Sequence, residues 1–279
     1  MGTTLKGLNL GYMGMDMELM VFPHPNYALM AGGRQEAQKI WYDCPAISYI
    51  IEHPDGLILW ETGISPNWKA EWLPGWQYLV DLSKITPEIC LEARLKSVGL
   101  APEDFKYVIQ GHLHTDHAGG LRLFEDAGAT IVCHEDEYKY VNQIETADNF
   151  FVRADWDFLG YKRPTTTYGD QQILKDLWLI SLPGHTPGTM GLLTKLDHTG
   201  WVLLTTDALY THESYGPPAT GSPIVWNAEQ WARSVEKLRG VATTHDAFLF
   251  PGHDETGIKV EGDQAAFKPI QYLPGHAYE

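Results

Sequence analysis

The sequence predicts an α/β fold, a four-layer α/β/β/α sandwich in which two packed sheets carry helices on their outer faces. Two strand-rich stretches predict it, one over residues 46–133 and one over residues 177–250, and each contains or precedes helices. A second observation is that histidine or aspartate follows several apolar runs, as functional residues do at the strand ends of α/β proteins. Hydrophobic periodicity alone leaves an ordinary three-layer α/β fold open.

The first stretch begins with a predicted hairpin. Residues 46–52 read as a strand, the His-Pro-Asp-Gly sequence at 53–56 reads as a turn, and residues 57–60 read as the returning strand. This places Glu61-Thr62-Gly63 at the end of a strand.

A helix with a marked start and stop follows the hairpin. Thr86 is the predicted N-cap, Pro87 takes the first helical position, Glu88 lies in the first turn, and Gly99 comes just past the end. The other elements predicted in this stretch are a strand over Lys106–Gln110, a helix from Ala118 to about Ala127, a strand over Thr130–Cys133 and a polar helix from Glu135.

The second stretch contains strands at 177–182, 190–194 and 201–206, with little room for helices between them. A helix is predicted to open at Asn227, where Gln230 has the capping-box spacing, and to run to Leu238 before Gly240. The last predicted strand is Ala247–Phe250.

Length and composition indicate one globular domain over residues 1–279, since candidate site residues run from position 112 to position 253. A net charge of −16 argues against binding nucleic acid through phosphate contacts.

The three cysteines lack CxxC spacing, which indicates a reducing compartment rather than a disulfide framework. We find no cleavable signal and no apolar run of roughly 18 residues, so a cytoplasmic protein without a membrane partner is expected.

The most informative motif is His112-x-His114-x-Asp116-His117, directly after a predicted strand. In an extended segment, side chains two apart point the same way, so His112 and His114 can bind one metal ion as a pair. Asp116 and His117 are adjacent and must diverge, which suits a second ion. Neither half is a complete site, because each ion needs ligands from elsewhere in the fold.

His185, Asp207 and His253 are the expected suppliers, because each follows an apolar, strand-like run. Asp207 has two oxygens and can bridge both ions. Five imidazoles and two carboxylates can hold two divalent cations; zinc fits this donor set best, and Mn, Fe or Co are also accepted. Pro-Gly-His recurs at 274–276 without a strand-like run before it, so His276 is not expected to be a ligand.

Three segments, near 65–82, 149–168 and 212–226, are interpreted as substrate-loop insertions. Their aromatic residues can wall an apolar pocket, although core or interface packing explains them equally well, and a homodimer is compatible with them. The candidate substrate-binding residues in these segments are Trp68, Trp72, Phe150, Phe151 and His212.

With this ligand set, the chain resembles the metallo-β-lactamase superfamily, and within it the N-acyl-homoserine-lactone lactonases (quorum-quenching lactonases). The motifs that carry the resemblance are Glu61-Thr-Gly, the His112 block with Ala-Gly-Gly after it, Asp207-Ala-x-Tyr210 and Gly252-His253-Asp254. One departure is Glu61, since the superfamily usually has aspartate there, and its role stays open.

The resemblance implies a hydrolase that opens the ester ring of N-acyl-L-homoserine lactones by attack of a metal-bridging hydroxide. It implies that Tyr210 hydrogen-bonds the substrate carbonyl and that Asp116 transfers a proton. The implied ligands are His112, His114 and His185 for one ion, Asp116, His117 and His253 for the other, and Asp207 for both.

Several alternatives stay open within the same scaffold. Another small-molecule lactonase needs the same machinery, and a glyoxalase II-like thioesterase shares nearly the whole ligand set. An iron-dependent oxidoreductase is a different class, but the Asp116-His117 pair resembles that of the hydrolases. A β-lactamase with a cysteine ligand is disfavoured because Asp207 occupies that position, and a tRNA-processing nuclease is disfavoured by the acidic charge.

Overall fold

Two seven-stranded mixed sheets form the centre of the molecule. The structure is a computed structural model that describes residues 2–22, 40–143, 150–259, 270–271 and 277–278. The first sheet contains β1 (Thr4–Asp16), β2 (Trp41–His53), β3 (Gly56–Trp60), β4 (Phe105–Ile109), β5 (Thr130–His134) and β6 (Thr165–Thr167). The second contains β7 (Gln171–Leu174), β8 (Leu177–Ser181), β9 (Met190–Leu196), β10 (Gly200–Leu204), β11 (Phe248–Phe250), β12 (Thr256–Lys259) and β13 (Ile270–Gln271), and β14 (Ala277–Tyr278) pairs with β1 in the first sheet.

Both sheets combine parallel and antiparallel strand pairs. In the first sheet, β3, β4, β5 and β6 run parallel to one another, whereas β1, β2 and β3 form antiparallel pairs. In the second sheet, β10 pairs with β11 in parallel and the other described pairs are antiparallel. The carboxyl ends of parallel strands meet at one edge of a sheet, so the residues that follow β4, β10 and β11 lie close together.

Helices occupy the outer layers. The α-helices are α1 (Trp68–Glu71), α2 (Pro74–Leu79), α3 (Leu91–Ser97), α4 (Thr115–Ala118), α5 (Glu135–Gln143), α6 (Arg153–Trp156) and α7 (Ala228–His245). Short 3-10 helices lie at Met17–Leu19, Pro102–Asp104, Leu121–Phe124, Asp157–Gly160, Thr206–Ala208 and His212–Tyr215. Among the described residues, none of these helices combines the length and apolar character needed to cross a membrane.

The two sheets pack face to face through alternate side chains of their strands. Ile58 and Trp60 of β3 point into the same buried cluster as Val202 and Leu204 of β10. Their neighbours point outward, so that Leu203 packs in a separate cluster with residues of α7. Both faces of each sheet are therefore covered, and the predicted four-layer α/β/β/α sandwich is confirmed.

Most predicted strands are confirmed, but three helix boundaries were wrong. The helix expected from Thr86 begins only at Leu91. The backbone N–H groups of Ile89 and Cys90 bond to the Thr86 carbonyl as a separate turn, and Cys90 then has an extended conformation that interrupts it. The Gly99 stop is confirmed, since this residue has a φ of +78° just past the helix.

The helix expected over 118–127 is interrupted by packing. A Cβ at Gly119 would lie 2.1 Å from the Ser65 backbone nitrogen, and one at Gly120 would lie 2.5 Å from the Thr62 carbonyl oxygen. These glycines let the chain approach the segment after β3, and only a short α4 and a 3-10 turn form around them.

The helix expected to stop at Leu238 instead continues through Gly240 to His245, as α7. Its start is as predicted, because the Asn227 side chain accepts a hydrogen bond from the Gln230 backbone N–H at 3.0 Å. A glycine inside a helix lowers its stability by only about 1 kcal/mol. Burial of Ala242, in the turn after Gly240, offsets this loss.

Candidate metal centre

The seven predicted ligands converge at the ends of strands from both sheets. His112 and His114 lie between β4 and α4, and Asp116 and His117 lie in α4. The other three follow strands of the second sheet: His185 after β8, Asp207 in the 3-10 turn after β10, and His253 after β11. Six of the seven are buried, and the Asp116 side chain keeps 16% of its surface exposed. His276 lies outside the described residues.

The first group of ligands consists of His112, His114 and His185, whose ligand atoms lie within 4.8 Å of one another. His114 Nδ1 and His185 Nε2 are 2.8 Å apart. Asp207 Oδ2 faces this group, at 3.1 Å from His185 Nε2 and 4.0 Å from His112 Nε2. Three imidazole nitrogens and a carboxylate oxygen therefore surround one point.

The second group consists of Asp116, His117 and His253. Asp116 Oδ2 lies 3.5 Å from His117 Nε2 and 3.4 Å from His253 Nε2. The other oxygen of Asp207, Oδ1, lies 3.3 Å and 3.2 Å from the same two nitrogens. Asp207 thus directs one oxygen to each group, the arrangement that a bridging carboxylate needs.

The donor set fits two divalent cations. Among the described residues, His112 Nε2 and Asp207 Oδ1 are buried polar atoms with no assigned hydrogen bond. Leaving such atoms unpaired is costly, and a cation between the two groups would satisfy both of them. Three neutral imidazoles with a shared carboxylate are also the donors that zinc and similar ions accept.

The outer nitrogens of the second group are held by the protein. Glu61 Oε2 lies 2.9 Å from His117 Nδ1, and His253 Nδ1 lies 3.0 Å from the Pro45 carbonyl oxygen. The Thr206 hydroxyl donates to Glu61 Oε1 at 2.5 Å, which fixes the carboxylate in turn. These contacts orient each ring so that Nε2 faces the cation site, and they give Glu61 the supporting role that the sequence left open.

The pKa shifts in the site show which candidate ligands are neutral and which are ionised. Burial, reinforced by neighbouring imidazoles, lowers the pKa of His112 and His114 well below the usual value, so both are neutral. Burial opposes the charge on Asp116, but His117 and His253 outweigh it and lower the pKa of that carboxyl to about 2. Burial opposes the charge on His117 and His253, but the acidic groups around them outweigh it and raise the pKa of both rings well above the usual value, so a cation would have to displace their protons to bind.

Tyr210 is fully buried and lies against the first group. Its hydroxyl is 2.8 Å from His185 Nδ1, the ring nitrogen that faces away from the other ligands. Its ring stacks on Trp231, with centroids 5.7 Å apart. Burial raises the pKa of the Tyr210 hydroxyl well above its usual value, so the group keeps its proton.

Two adjoining cavities, of about 50 Å³ and about 290 Å³, lie over the ligands. Trp72 and Tyr210 line the inner cavity, Phe151 lines the outer one, and Phe150 lines both. The predicted substrate residues Trp68 and His212 line neither. Trp68 donates its Nε1–H to the Ile85 carbonyl, and His212 Nδ1 lies 2.5 Å from Asp254 Oδ2.

Two features of the site were missed from the sequence. Met13, Met15 and Met20 line the inner cavity, and the alternation of the first two along β1 could have indicated a shared face. The second is Glu137 of α5, which is fully buried and accepts hydrogen bonds from the backbone N–H groups of Leu113 and Gly188 at 2.9 and 3.0 Å. It ties together the two loops that carry the first ligand group, and no sequence pattern marks it.

The family model of the metallo-beta-lactamase superfamily matches residues 41–253. An N-acyl homoserine lactonase from a Bacillus species is 33% identical over 226 residues, covering 78% of this chain and 86% of the relative. N-acyl homoserine lactonase AiiB from Agrobacterium fabrum is 26% identical over 275 residues, covering 91% and 94%.

Among solved structures, the chain is similar to an N-acyl homoserine lactone hydrolase with the product N-hexanoyl-L-homoserine bound at its catalytic metal centre. The TM-score is 0.72 at 25% identity, and the match covers 90% of this chain and 93% of the other.

Proposed function

This chain belongs to the metallo-beta-lactamase superfamily, and from that premise we propose that it is a metal-dependent hydrolase that opens the ring of N-acyl-L-homoserine lactones. The observation that carries the proposal is the position of Asp207, with one oxygen toward each ligand group. The lactonases among its relatives and the product complex of a similar hydrolase support the substrate.

Two divalent cations bound by the seven ligands would lower the pKa of a shared water and polarise the lactone carbonyl. Hydrolysis adds the water oxygen to the carbonyl carbon, breaks the ring C–O bond and delivers a proton to the leaving oxygen. We assign this proton transfer to Asp116, whose ionised carboxylate lines the inner cavity and would accept the proton released by the attacking water before passing it to the leaving oxygen. An acid of such low pKa gives up a proton readily to an alkoxide.

Tyr210 is assigned the role of hydrogen-bond donor to the substrate carbonyl. If His185 Nε2 faces the cation, Nδ1 carries the hydrogen and donates it to the Tyr210 oxygen. The hydroxyl hydrogen of Tyr210 is then available to donate into the inner cavity, which Tyr210 and Ser222 both line. One hydroxyl can thus both orient a ligand and bind substrate.

The apolar walls of the two cavities support the proposal that the lactone substrate carries an acyl chain. Met13, Met15 and Trp72 give the inner cavity an apolar surface beside the ligands, and Trp76 and Phe151 extend it in the outer cavity. A lactone ring over the cations would direct its N-acyl chain along these side chains.

The metal, location and assembly are proposed on separate grounds. Imidazole-rich coordination supports zinc, and elemental analysis of protein purified without added metal tests it. The three cysteines are free and buried, which supports a reducing, cytoplasmic location. Exposed Tyr78 and Trp226 support a homodimer, which light scattering would detect.

The decisive experiment is pH-stat hydrolysis of a substrate panel by the metal-loaded protein. The panel contains short- and long-chain N-acyl-L-homoserine lactones, other γ-lactones, nitrocefin and a glutathione thioester. We expect the acyl-homoserine lactones to have the highest kcat/KM. A preference for the thioester would replace the proposal with a glyoxalase II-like function, and equal rates on simple γ-lactones would replace it with a general lactonase.

A further inference from the structure

Arg122 lies between the two aromatic insertions and contacts a carboxylate of each. Its Nη1 donates to Glu71 Oε1 at 3.0 Å, and its Nη2 donates to Asp155 Oδ1 at 3.0 Å. Glu71 ends α1 in the first insertion, and Asp155 lies in α6 in the second. One planar guanidinium therefore joins two segments that are far apart in sequence.

Thr115 attaches the same two segments to the ligand motif. Its hydroxyl oxygen accepts the Trp72 Nε1–H at 2.9 Å, and its backbone N–H donates to the Phe150 carbonyl oxygen at 2.9 Å. Thr115 stands between two predicted metal ligands, His114 and Asp116. The insertions are thus anchored twice, once at the ligands and once at Arg122.

Between these two anchors lies an aromatic cluster of Trp72, Trp76 and Phe150. Trp76 stacks on Phe150 with centroids 4.8 Å apart, and Trp72 meets both rings edge-on at 6.3 and 6.2 Å. Each of the three lines at least one of the two cavities, and Phe150 lines both. The position of this aromatic wall therefore sets the width of the path from the ligands outward.

The ion pairs under the wall are not ordinary surface pairs. The Asp155 side chain is fully buried, and that of Glu71 is 14% exposed. Burial raises the pKa of Asp155 to about 7, although Thr115 and Arg122 act against it. A carboxylate this deep is tolerated because it is paired, so removing Arg122 should displace the segments that carry both acids.

We propose that Arg122, paired with Glu71 and Asp155, is a positioning residue that fixes the aromatic wall and so determines which acyl-chain lengths the enzyme accepts. This inference rests on the proposed lactonase function. Arg122 does not contact the ligands in this arrangement; it acts through Trp72, Trp76 and Phe150.

The kinetic test compares Arg122→Gln with wild type on N-butanoyl and N-decanoyl homoserine lactone. We expect KM for the decanoyl substrate to rise about ten-fold, with kcat on the butanoyl substrate changed by less than about two-fold and the metal content unchanged. Arg153→Gln is the matched control, since Arg153 pairs with Asp157 in the same insertion but is 68% exposed. Equal losses on both substrates, or the same shift in the control, would overturn the proposal.

Glu71→Gln provides a second variant in case Arg122→Gln does not fold. It weakens only the link to the first insertion and leaves the buried Arg122–Asp155 pair intact, so we expect a smaller KM shift in the same direction. No shift in a folded Glu71→Gln protein would show that the first insertion is held without Arg122, contrary to the proposal.

Hydrogen exchange measured by mass spectrometry separates this inference from the proposed function, because it needs no substrate. In Arg122→Gln we expect amide exchange to be faster than in wild type in both residues 72–80 and residues 150–158. In Arg153→Gln we expect the exchange rates of both segments to be unchanged. If wild type opens no lactone, the proposed function fails, while joint loss of protection still supports the positioning of the wall. Unchanged exchange in either segment would refute it.

Discussion

At the scale of single residues, the site depends most on how one carboxylate is shared. Asp207 directs Oδ2 toward His185 at 3.1 Å and Oδ1 toward His253 at 3.2 Å. An amide of the same shape cannot replace it, because its nitrogen donates hydrogen bonds and carries no negative charge.

Asp207→Asn should therefore lose metal and activity together. We expect kcat/KM to fall by at least about 100-fold, the upper end of the loss seen when a partner of a metal ligand is removed. Metal analysis of the purified variant and lactone kinetics measure the two effects. Asp246→Asn, which changes a carboxylate that is 75% exposed, is the control. A variant with two bound ions and normal activity would contradict the bridging role.

Tyr210→Phe should leave the ligands in place but remove the hydroxyl beside His185 Nδ1. With metal in excess, we expect both ions to bind and kcat/KM to fall by about 10- to 100-fold, as for loss of a group that orients a ligand or donates to an oxyanion. Tyr161→Phe, at an exposed tyrosine, controls for the substitution itself. Full activity in the Tyr210 variant would exclude both roles of the hydroxyl.

At the scale of elements, α4 is too short to be stable alone and is held by the segment after β3. The Thr62 N–H donates to the His117 carbonyl oxygen and the Gly119 N–H donates to the Gly63 carbonyl oxygen, both at 2.7 Å. The same segment carries Glu61, whose φ of +59° is unusual for a residue with a side chain. Backbone pairing thus positions both the candidate ligand His117 and the carboxylate that orients it.

The short helix α6 has a pH-dependent stability that follows from Asp155. Burial raises its folded-state pKa from 3.8 to about 7, so the folded protein binds more protons than the unfolded chain between these values. Its contribution to stability therefore falls as pH rises through this window. We expect the Tm of wild type minus that of Asp155→Asn to decrease between about pH 4 and pH 7 and then to level off. A difference that is independent of pH, or that increases, would show that folding does not raise the pKa of Asp155.

At the scale of the whole molecule, the site joins the two sheets. The first sheet supplies the His112 motif, and the second supplies His185, Asp207 and His253. Cations bound between them would act as cross-links that only the folded protein can form.

Chelation should accordingly lower both activity and stability. An ion present at about a thousandfold excess over its Kd stabilises the fold by about 4 kcal/mol, and each kcal/mol shifts Tm by about 2 to 4 °C in a protein of roughly this size. Calorimetry before and after EDTA treatment, with zinc added back, measures the change. A Tm that does not respond to EDTA and zinc would contradict a metal centre shared by both sheets.

The arrangement of the fold and the set of candidate ligands could be predicted from the sequence for physical reasons. The covalent chain fixes the spacing within His112-x-His114-x-Asp116-His117. The apolar runs before His185, Asp207 and His253 place these residues at strand ends whatever the details of packing. Helix boundaries were less accessible. The break at Gly119 depends on contact with Ser65, and the extension of α7 past Gly240 depends on burial of Ala242.

The sequence by itself determined which residues are candidate metal ligands and that they belong to an α/β sandwich, because both follow from local spacing and periodicity. Only the tertiary structure decided which oxygen of Asp207 faces which group, that Glu137 ties two ligand loops together, and that Arg122 joins two aromatic insertions. These contacts join residues distant in the chain, and their geometry depends on the packing of the whole molecule rather than on any short segment.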